Sequence, residues 1–305
     1  MNWSKTGKWL TTIAAALTLA ACSNEQGTED TSATEDGQSS SGSSDFDTSS
    51  SINVISREDG SGTRDAFTEI TGVLVEEGEE EVDQTTADAT IQSSTGAVLS
   101  SVADDTYAIG YISLGSLDDS VKALNVNGVE ATPENVASGE YELARPFNVA
   151  YAGELSPAAQ DFWNFLFSPE AQAAVEEQGY IQAETQEEYT MDESAEGTIT
   201  VGGSTSVTPV MEAIIDAYPN ENVTVDLISN GSGAGMTGAI DGTNDIGMAS
   251  RELDEEESSQ LTSQPLAMDG IATIVHTDNS TEDLTLDQIR QIFAGEVTTW
   301  EEVQQ

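Results

Sequence analysis

Basic residues are nearly absent from this chain. Its 305 residues include 8 Lys and Arg against 56 Asp and Glu, a formal net charge of −48. A surface so acidic repels nucleic acid and anionic lipid headgroups and excludes both as partners. It suits a protein bathed in salt, where screening removes the self-repulsion. Cysteine and histidine occur once each, as Cys22 and His276. One cysteine excludes an internal disulfide. One histidine, with carboxylates at no coherent spacing, leaves no metal-ligand set. There is no Gly-x-Ser-x-Gly elbow for a serine triad, and the turn Gly231–Gly235 lacks the Lys of a Walker loop. No metal and no cofactor is expected. The longest leader-like apolar run, Leu10–Ala21, is too short for a comfortable membrane span. Phe162, Trp163, Phe165 and Phe167 stand on neighbouring helix positions and read as core.

What the N-terminal region does contain is a leader. Residues 1–21 hold Lys5 and Lys8, the apolar run and no acid, the pattern of a secretory signal. Leu19-Ala-Ala-Cys22 resembles the bacterial lipobox, which implies lipidation of Cys22 and anchoring to the extracytoplasmic face of the cell membrane through lipid alone. Residues 22–51 are Ser, Gly, Thr, Asp and Glu with almost nothing apolar, a composition that cannot order itself and reads as a tether.

Beyond residue 51, strand-like and helix-like segments alternate, which predicts an α/β fold. Strands are expected at Ile52–Ile55, Tyr107–Ile112, Val121–Val126, Phe147–Tyr151, Thr198–Gly203, Val223–Ser229, Asp245–Ala249 and Leu266–His276. Helices are expected at Asp65–Ile70, Ala158–Phe167, Pro169–Gln178, Pro209–Tyr218 with Thr208 as cap, Met236–Asp241 and Leu286–Phe293. The acidic stretches Glu76–Asp83 and Ala183–Glu196 read as loops or linkers.

One turn dominates the reading: Ser56-Arg-Glu-Asp-Gly-Ser-Gly-Thr-Arg64. Only six basic residues lie beyond residue 21, and two of them bracket this turn. A strand that passes through Gly and Ser into a helix aims backbone N–H groups, the positive helix end and hydroxyls at one point. Arginine adds a planar fork that matches tetrahedral oxyanions. Ser204-Thr-Ser206 and Ser232-Gly-Ala-Gly235 repeat the strand–turn–helix design, and Arg251 ends another strand. A single such turn is an ordinary helix cap; three with nearby arginines point to anion binding.

Gly202-Gly-Ser-Thr-Ser-Val-Thr-Pro209, Ser229-Asn-Gly-Ser-Gly-Ala-Gly235, Asp245-Ile-Gly-Met-Ala-Ser-Arg251 and Arg57-Glu-Asp-Gly-Ser-Gly-Thr63 resemble the phosphate-binding lipoproteins of ABC importers. The resemblance implies a two-lobed, type II periplasmic-binding-protein-like fold, inorganic phosphate as ligand, a membrane permease as partner, a monomer and no catalysis. It implies phosphate binding by Arg57, Ser61, Gly62 and Thr63 from one lobe and by Thr205, Ser206 and Ser232 from the other. Asp59 is implied as the residue that holds the Arg57 guanidinium. Arg251 stands where many relatives have an acid that accepts a phosphate proton; it is counted among the binding residues, and discrimination against sulfate then needs another source. The segment order is reversed relative to the family, which reads as a circular permutation. One lobe is expected from residues 52–145 plus 278–305 and the other from 146–277, with a linker at 182–196 and strand crossings at Arg145–Tyr151 and Leu266–His276. Alternatives are a binder of sulfate or molybdate, a phosphate sensor without transport, or a phosphate-ester enzyme using Ser61 or Ser204 as nucleophile.

Overall fold

The computed structural model describes residues 46–78, 80–183 and 188–303. The leader 1–21, Cys22 and most of the expected tether lie outside the described residues. The first elements are β1 (Asn53–Arg57), α1 (Gly62–Thr71), β2 (Leu74–Glu77), β3 (Glu80–Asp83), β4 (Thr90–Gln92), α2 (Thr95–Ala103) and β5 (Ala108–Ser113). There follow β6 (Val121–Ala123), β7 (Asn125–Val126), α3 (Pro133–Ser138), β8 (Ala144–Ala152), α4 (Pro157–Leu166), α5 (Pro169–Glu177) and β9 (Ile181–Gln182). The chain continues through β10 (Gly197–Gly203), α6 (Thr208–Ala217), β11 (Val223–Ser229), α7 (Ser232–Asp241), β12 (Ile246–Ala249), α8 (Glu255–Gln260) and β13 (Leu261–His276). It closes with β14 (Asp283–Leu284), α9 (Leu286–Phe293) and α10 (Trp300–Val303).

Helix starts follow local chemistry. Ser61, Ser94, Thr132, Ser156 and Ser168 each cap a helix by accepting a backbone N–H from the first turn. Proline occupies the first turn of α3, α4 and α5, where its missing N–H costs nothing. Thr208, expected as a cap, is instead the first residue of α6, and its hydroxyl donates back to the Ser204 carbonyl at 3.1 Å. No helix among the described residues is long and apolar enough to cross a membrane.

The main sheet runs β11-β10-β12-β8-β13-β5-β1-β4. Its two ends are parallel sets, β11-β10-β12 and β5-β1-β4, each fed by strand–helix crossovers. Between them β8 and β13 pair antiparallel from Leu261↔Ala152 to Gly270↔Ala144. At 16 residues β13 is about 50 Å long, enough to serve both ends. Its register shifts between Pro265 and Ala267, where a proline sits in the strand at a bulge.

Two large apolar cores lie on either side of this junction. The first gathers Val54, Phe67, Val98, Ile109, Tyr111, Ile271, Ile274, Ile289, Phe293 and Trp300. The second gathers Phe147, Phe162, Trp163, Phe165, Val201, Met211, Ile246 and Leu266. Because Ile271–Val275 pack in the first core, the division within β13 falls near residues 268–270 rather than after 277 as expected. Strand continuity carries β13 past the junction, and sequence alone gives no mark of where its packing partner changes. The final segment joins the first core: Ile52 N–H donates to Thr298 O at 2.8 Å, and the Trp300 indole donates to Tyr107 O at 3.2 Å.

The acidic stretch Glu76–Asp83, expected as a loop, lies largely in the β2–β3 hairpin. Glu76 stands opposite Glu81, a like-charge pairing that disfavours a strand and hid it from the sequence; Val75 opposite Val82 and an Asp83–Arg64 ion pair at 2.8 Å hold it. The helices α2, α3, α8 and α10 were not expected. In the acidic linker, the described residues 188–196 form neither helix nor strand, yet they are docked. Buried Asp161 accepts from Tyr189 and Tyr218 hydroxyls, Asn220 Nδ2 and Asp192 N–H at 2.5–3.0 Å. Burial works to raise the Asp161 pKa, but these bonds outweigh it and hold the carboxyl below its ordinary value.

Trp300 is fully buried, so Trp300→Ala should lower unfolding free energy by about 3–5 kcal/mol. Deleting residues 284–305 should abolish folding of the first core. Urea unfolding followed by circular dichroism checks both.

Candidate anion-binding site

Parallel strands with helical crossovers put successive helix N-termini along one rim, at the carboxyl ends of the strands. β1 delivers Arg57 and then α1; β4 delivers Ser94 and α2. From the second core, β10 delivers Ser204–Ser206 and β11 delivers Ser232 at the start of α7. These groups meet across the cleft. Arg57 Nη2 donates to Thr205 Oγ1 at 3.1 Å, and Nη1 reaches Thr95 Oγ1 at 3.5 Å. Thr63 Oγ1 and Ser206 Oγ lie 2.9 Å apart. Thr95 Oγ1 lies 3.1 Å from Ser206 Oγ and 3.2 Å from Thr205 Oγ1. The Gly233 N–H donates to the Gly60 carbonyl at 3.0 Å, joining the two Gly-rich turns.

Behind this front, Ser204 Oγ donates to Ser250 Oγ at 2.9 Å, and Ser250 N–H donates to Ser232 Oγ at 3.1 Å. Ser61, Thr63, Ser204, Ser206, Ser232 and Ser250 are all buried, and Thr205 is half-buried. Gly62 is fixed by contact: a Cβ there would lie 2.4 Å from Ser232 Oγ and 3.0 Å from Ser250 Oγ. Only glycine lets α1 and α7 approach so closely.

Arg57 is 2% exposed and ion-paired, but not by Asp59 as expected. Glu58 holds it bidentately, Oε2 to Nε at 2.8 Å and Oε1 to Nη2 at 2.9 Å. Asp59 lies on the solvent side of the turn, 98% exposed, and pairs with Arg64 Nη1 at 2.9 Å. Arg64, also held by Asp83, donates to the Arg57 carbonyl at 2.9 Å and so braces the turn from behind.

Arg251 does not join the hydroxyl cluster. Its guanidinium is taken by Glu257 at 2.7 and 2.8 Å, by the Glu252 carbonyl at 2.8 Å and by Asp65 at 3.0 Å. The structure thus brings together Arg57, Ser61, Gly62, Thr63, Thr205, Ser206 and Ser232, and leaves Asp59 and Arg251 outside. Sequence reasoning passed over Thr95, Glu58 and Ser250. The signal for Thr95 was there: Gln92-Ser-Ser-Thr-Gly96 is one more Ser/Thr/Gly turn between strand and helix.

A buried ion pair links the site to the strand junction. Arg145 on β8 pairs with Asp269 on β13 at 3.2 Å and donates to the Ser250 carbonyl at 2.9 Å. Burial pushes the Asp269 carboxyl up to about 6 against the pull of Arg145. Burial likewise lifts the Tyr111 phenol to about 12, so at neutral pH its OH remains a donor or acceptor for Ser56 and accepts the Arg57 N–H at 3.2 Å.

A family model for the PBP superfamily domain matches residues 22–170 and 189–305. The phosphate-binding protein PstS 2 of Streptococcus pneumoniae (TIGR4) is 47% identical over 257 residues, covering 84% of this chain and 88% of that protein. The chain belongs to the PstS family of phosphate-binding proteins. PstS 2 of Streptococcus agalactiae (2603 V/R) is 44% identical over 257 residues, 83% of this chain and 87% of its own. A crystal structure of a phosphate-binding protein of a phosphate ABC transporter from S. pneumoniae TIGR4 is 46% identical, with a TM-score of 0.67 over 83% of this chain and 100% of that one. The α/β fold expected from the sequence is therefore that of a PBP-type protein, in a family of binding proteins rather than enzymes.

Asp269 gives a test by pH. Its folded pKa lies above that of an unfolded aspartate, so the stability it supplies is full below about pH 4 and is lost as pH rises through about 6. Asp269→Asn should therefore cost less at pH 7 than at pH 4.5, by urea unfolding at the two values.

Proposed function

We propose that the hydroxyl and guanidinium cluster of the cleft is the site at which this substrate-binding component of an ABC importer captures inorganic phosphate for a membrane permease. One observation carries the assignment of residues: donors from both cores converge within 2.9–3.5 Å around Arg57, Thr63, Thr95, Thr205 and Ser206. A desolvated oxyanion needs many neutral donors and few full charges, because each missing hydrogen bond costs about 1–3 kcal/mol. Glu58 takes one edge of Arg57 and leaves Nη1 facing the hydroxyls. Ser61, Thr63, Thr95, Thr205, Ser206 and Ser232 supply hydroxyls, and the starts of α1 and α7 supply N–H groups at Gly62 and Ser232, the Ser61 N–H being taken by the Glu58 carbonyl.

The two cores are the two lobes in this reading, and β8 and β13 are the crossings about which they close. Only the closed state satisfies the anion from both sides, so phosphate shifts the equilibrium toward closure. Nothing is transformed; release to the permease is reopening. The lipid anchor at Cys22, a flexible reach through residues 22–51 and a monomeric state belong to the same proposal. So does the permuted order of segments, which the packing of α9 and α10 into the core that contains β1 supports.

Sulfate stays as a second ligand because Arg251 replaces an acid that the family resemblance associates with phosphate selectivity. Titration calorimetry with phosphate and then sulfate decides between them. Tight one-to-one phosphate binding is expected, weakened about 10- to 150-fold by Arg57→Ala, since a hydrogen bond to a charged group contributes about 1.5–3 kcal/mol. Gly62→Ala should also weaken it, by blocking approach of the two helix starts. Preferred sulfate binding would keep the fold and reassign the ligand; silence with both would remove the proposal.

A further inference from the structure

We propose that Arg251 and Asp65 form a clasp across the mouth of the cleft and set phosphate affinity without touching the anion. Arg251 follows β12 on the side of the second core, between Ala249 and Leu253, which pack with Met236 and Leu261. Asp65 lies in the first turn of α1, next to Ala66 and Phe67 of the first core. Their 3.0 Å contact, Nε to Oδ2, therefore spans the two lobes.

On its own side Arg251 is fixed in advance. Glu257 grips it bidentately, and Glu257 is in turn buried and locked by a reciprocal cap with Asp254 at 2.7 and 3.1 Å. Four of the five guanidinium N–H groups are committed to protein oxygens. Opening the lobes breaks the bond to Asp65 and keeps the rest. The side chain thus stays poised, and little rotamer freedom is lost when the bond reforms. Burial pushes the Asp65 carboxyl up, and Arg251 opposes that shift.

The inference rests on phosphate capture by lobe closure, and its sign separates it from simpler electrostatics. A carboxylate near the cleft mouth repels an incoming anion, so deleting Asp65 should strengthen binding if charge alone matters, or if the freed Arg251 turned to the anion. A clasp demands the opposite. Asp65→Ala is the gentle variant, because it leaves the Arg251–Glu257 pair intact; Arg251→Gln and the double variant complete a cycle.

Each single change should weaken phosphate binding roughly two- to fivefold in dilute salt, mostly through faster dissociation. The double variant should be no weaker than the worse single one, and the loss should shrink in molar salt. A second measurement needs no phosphate: spin labels at Ile91→Cys and Ile228→Cys, exposed positions on the two sides, in a Cys22→Ser background. Asp65→Ala should move the ligand-free distance distribution toward longer separations. Tighter binding by Asp65→Ala, additive losses or an unchanged distribution would overturn the clasp. Should the unaltered protein fail to bind phosphate, the functional reading falls by itself, and the distance distribution still decides the clasp.

Discussion

Arg57 is a full charge held almost entirely out of water, and much of the site is organised around keeping it satisfied. An unpaired buried guanidinium is too costly for a fold of ordinary stability, so every edge of it needs an acceptor. Glu58 covers one edge, and the hydroxyls of Thr95 and Thr205, from two separate turns, face the others. Hydroxyls suit this position because each can accept from the guanidinium and donate to an anion. That dual capacity ties a structural requirement to a functional one.

The same economy extends to the strand junction. β8 and β13 carry the chain between cores, and their facing residues Arg145 and Asp269 are both buried there. Arg145 also reaches the carbonyl of Ser250, whose amide and hydroxyl bond Ser232 and Ser204. A continuous run of polar contacts therefore joins the crossing strands to the cleft.

Net charge sets the wider frame. All six basic residues beyond residue 21 have acidic partners: Arg57, Arg64, Lys122, Arg145, Arg251 and Arg290. Four of the six lie at the cleft, its brace or the junction behind it. In a chain of net charge −48 a cation is never short of acids, so geometry rather than availability decides which acid each one takes. Against that acidic exterior, the proposed anion site relies on hydroxyls gathered around one buried arginine.

The sequence by itself determined the alternation of strands and helices, the serine and threonine caps and the Gly-rich turns, because these depend on spacing and on neighbours in the chain. From them came the α/β class and the pointer to anion binding; the grouping of Arg57, Ser61, Gly62, Thr63, Thr205, Ser206 and Ser232 came from the resemblance of these motifs to phosphate-binding lipoproteins. Tertiary structure alone decided the pairings that act through space. Glu58 rather than Asp59 holds Arg57, since the turn sends Asp59 to solvent. Arg251 bonds Asp65, 186 positions away in the chain, which no local pattern announces. Thr95 enters the site only because β4 lies beside β1, and the β2–β3 hairpin forms because packing and Arg64 outweigh its opposed glutamates. Local conformation is encoded by short-range sterics and hydrogen bonds; a charged side chain chooses its partner only after the folded backbone has fixed which oxygens lie within reach.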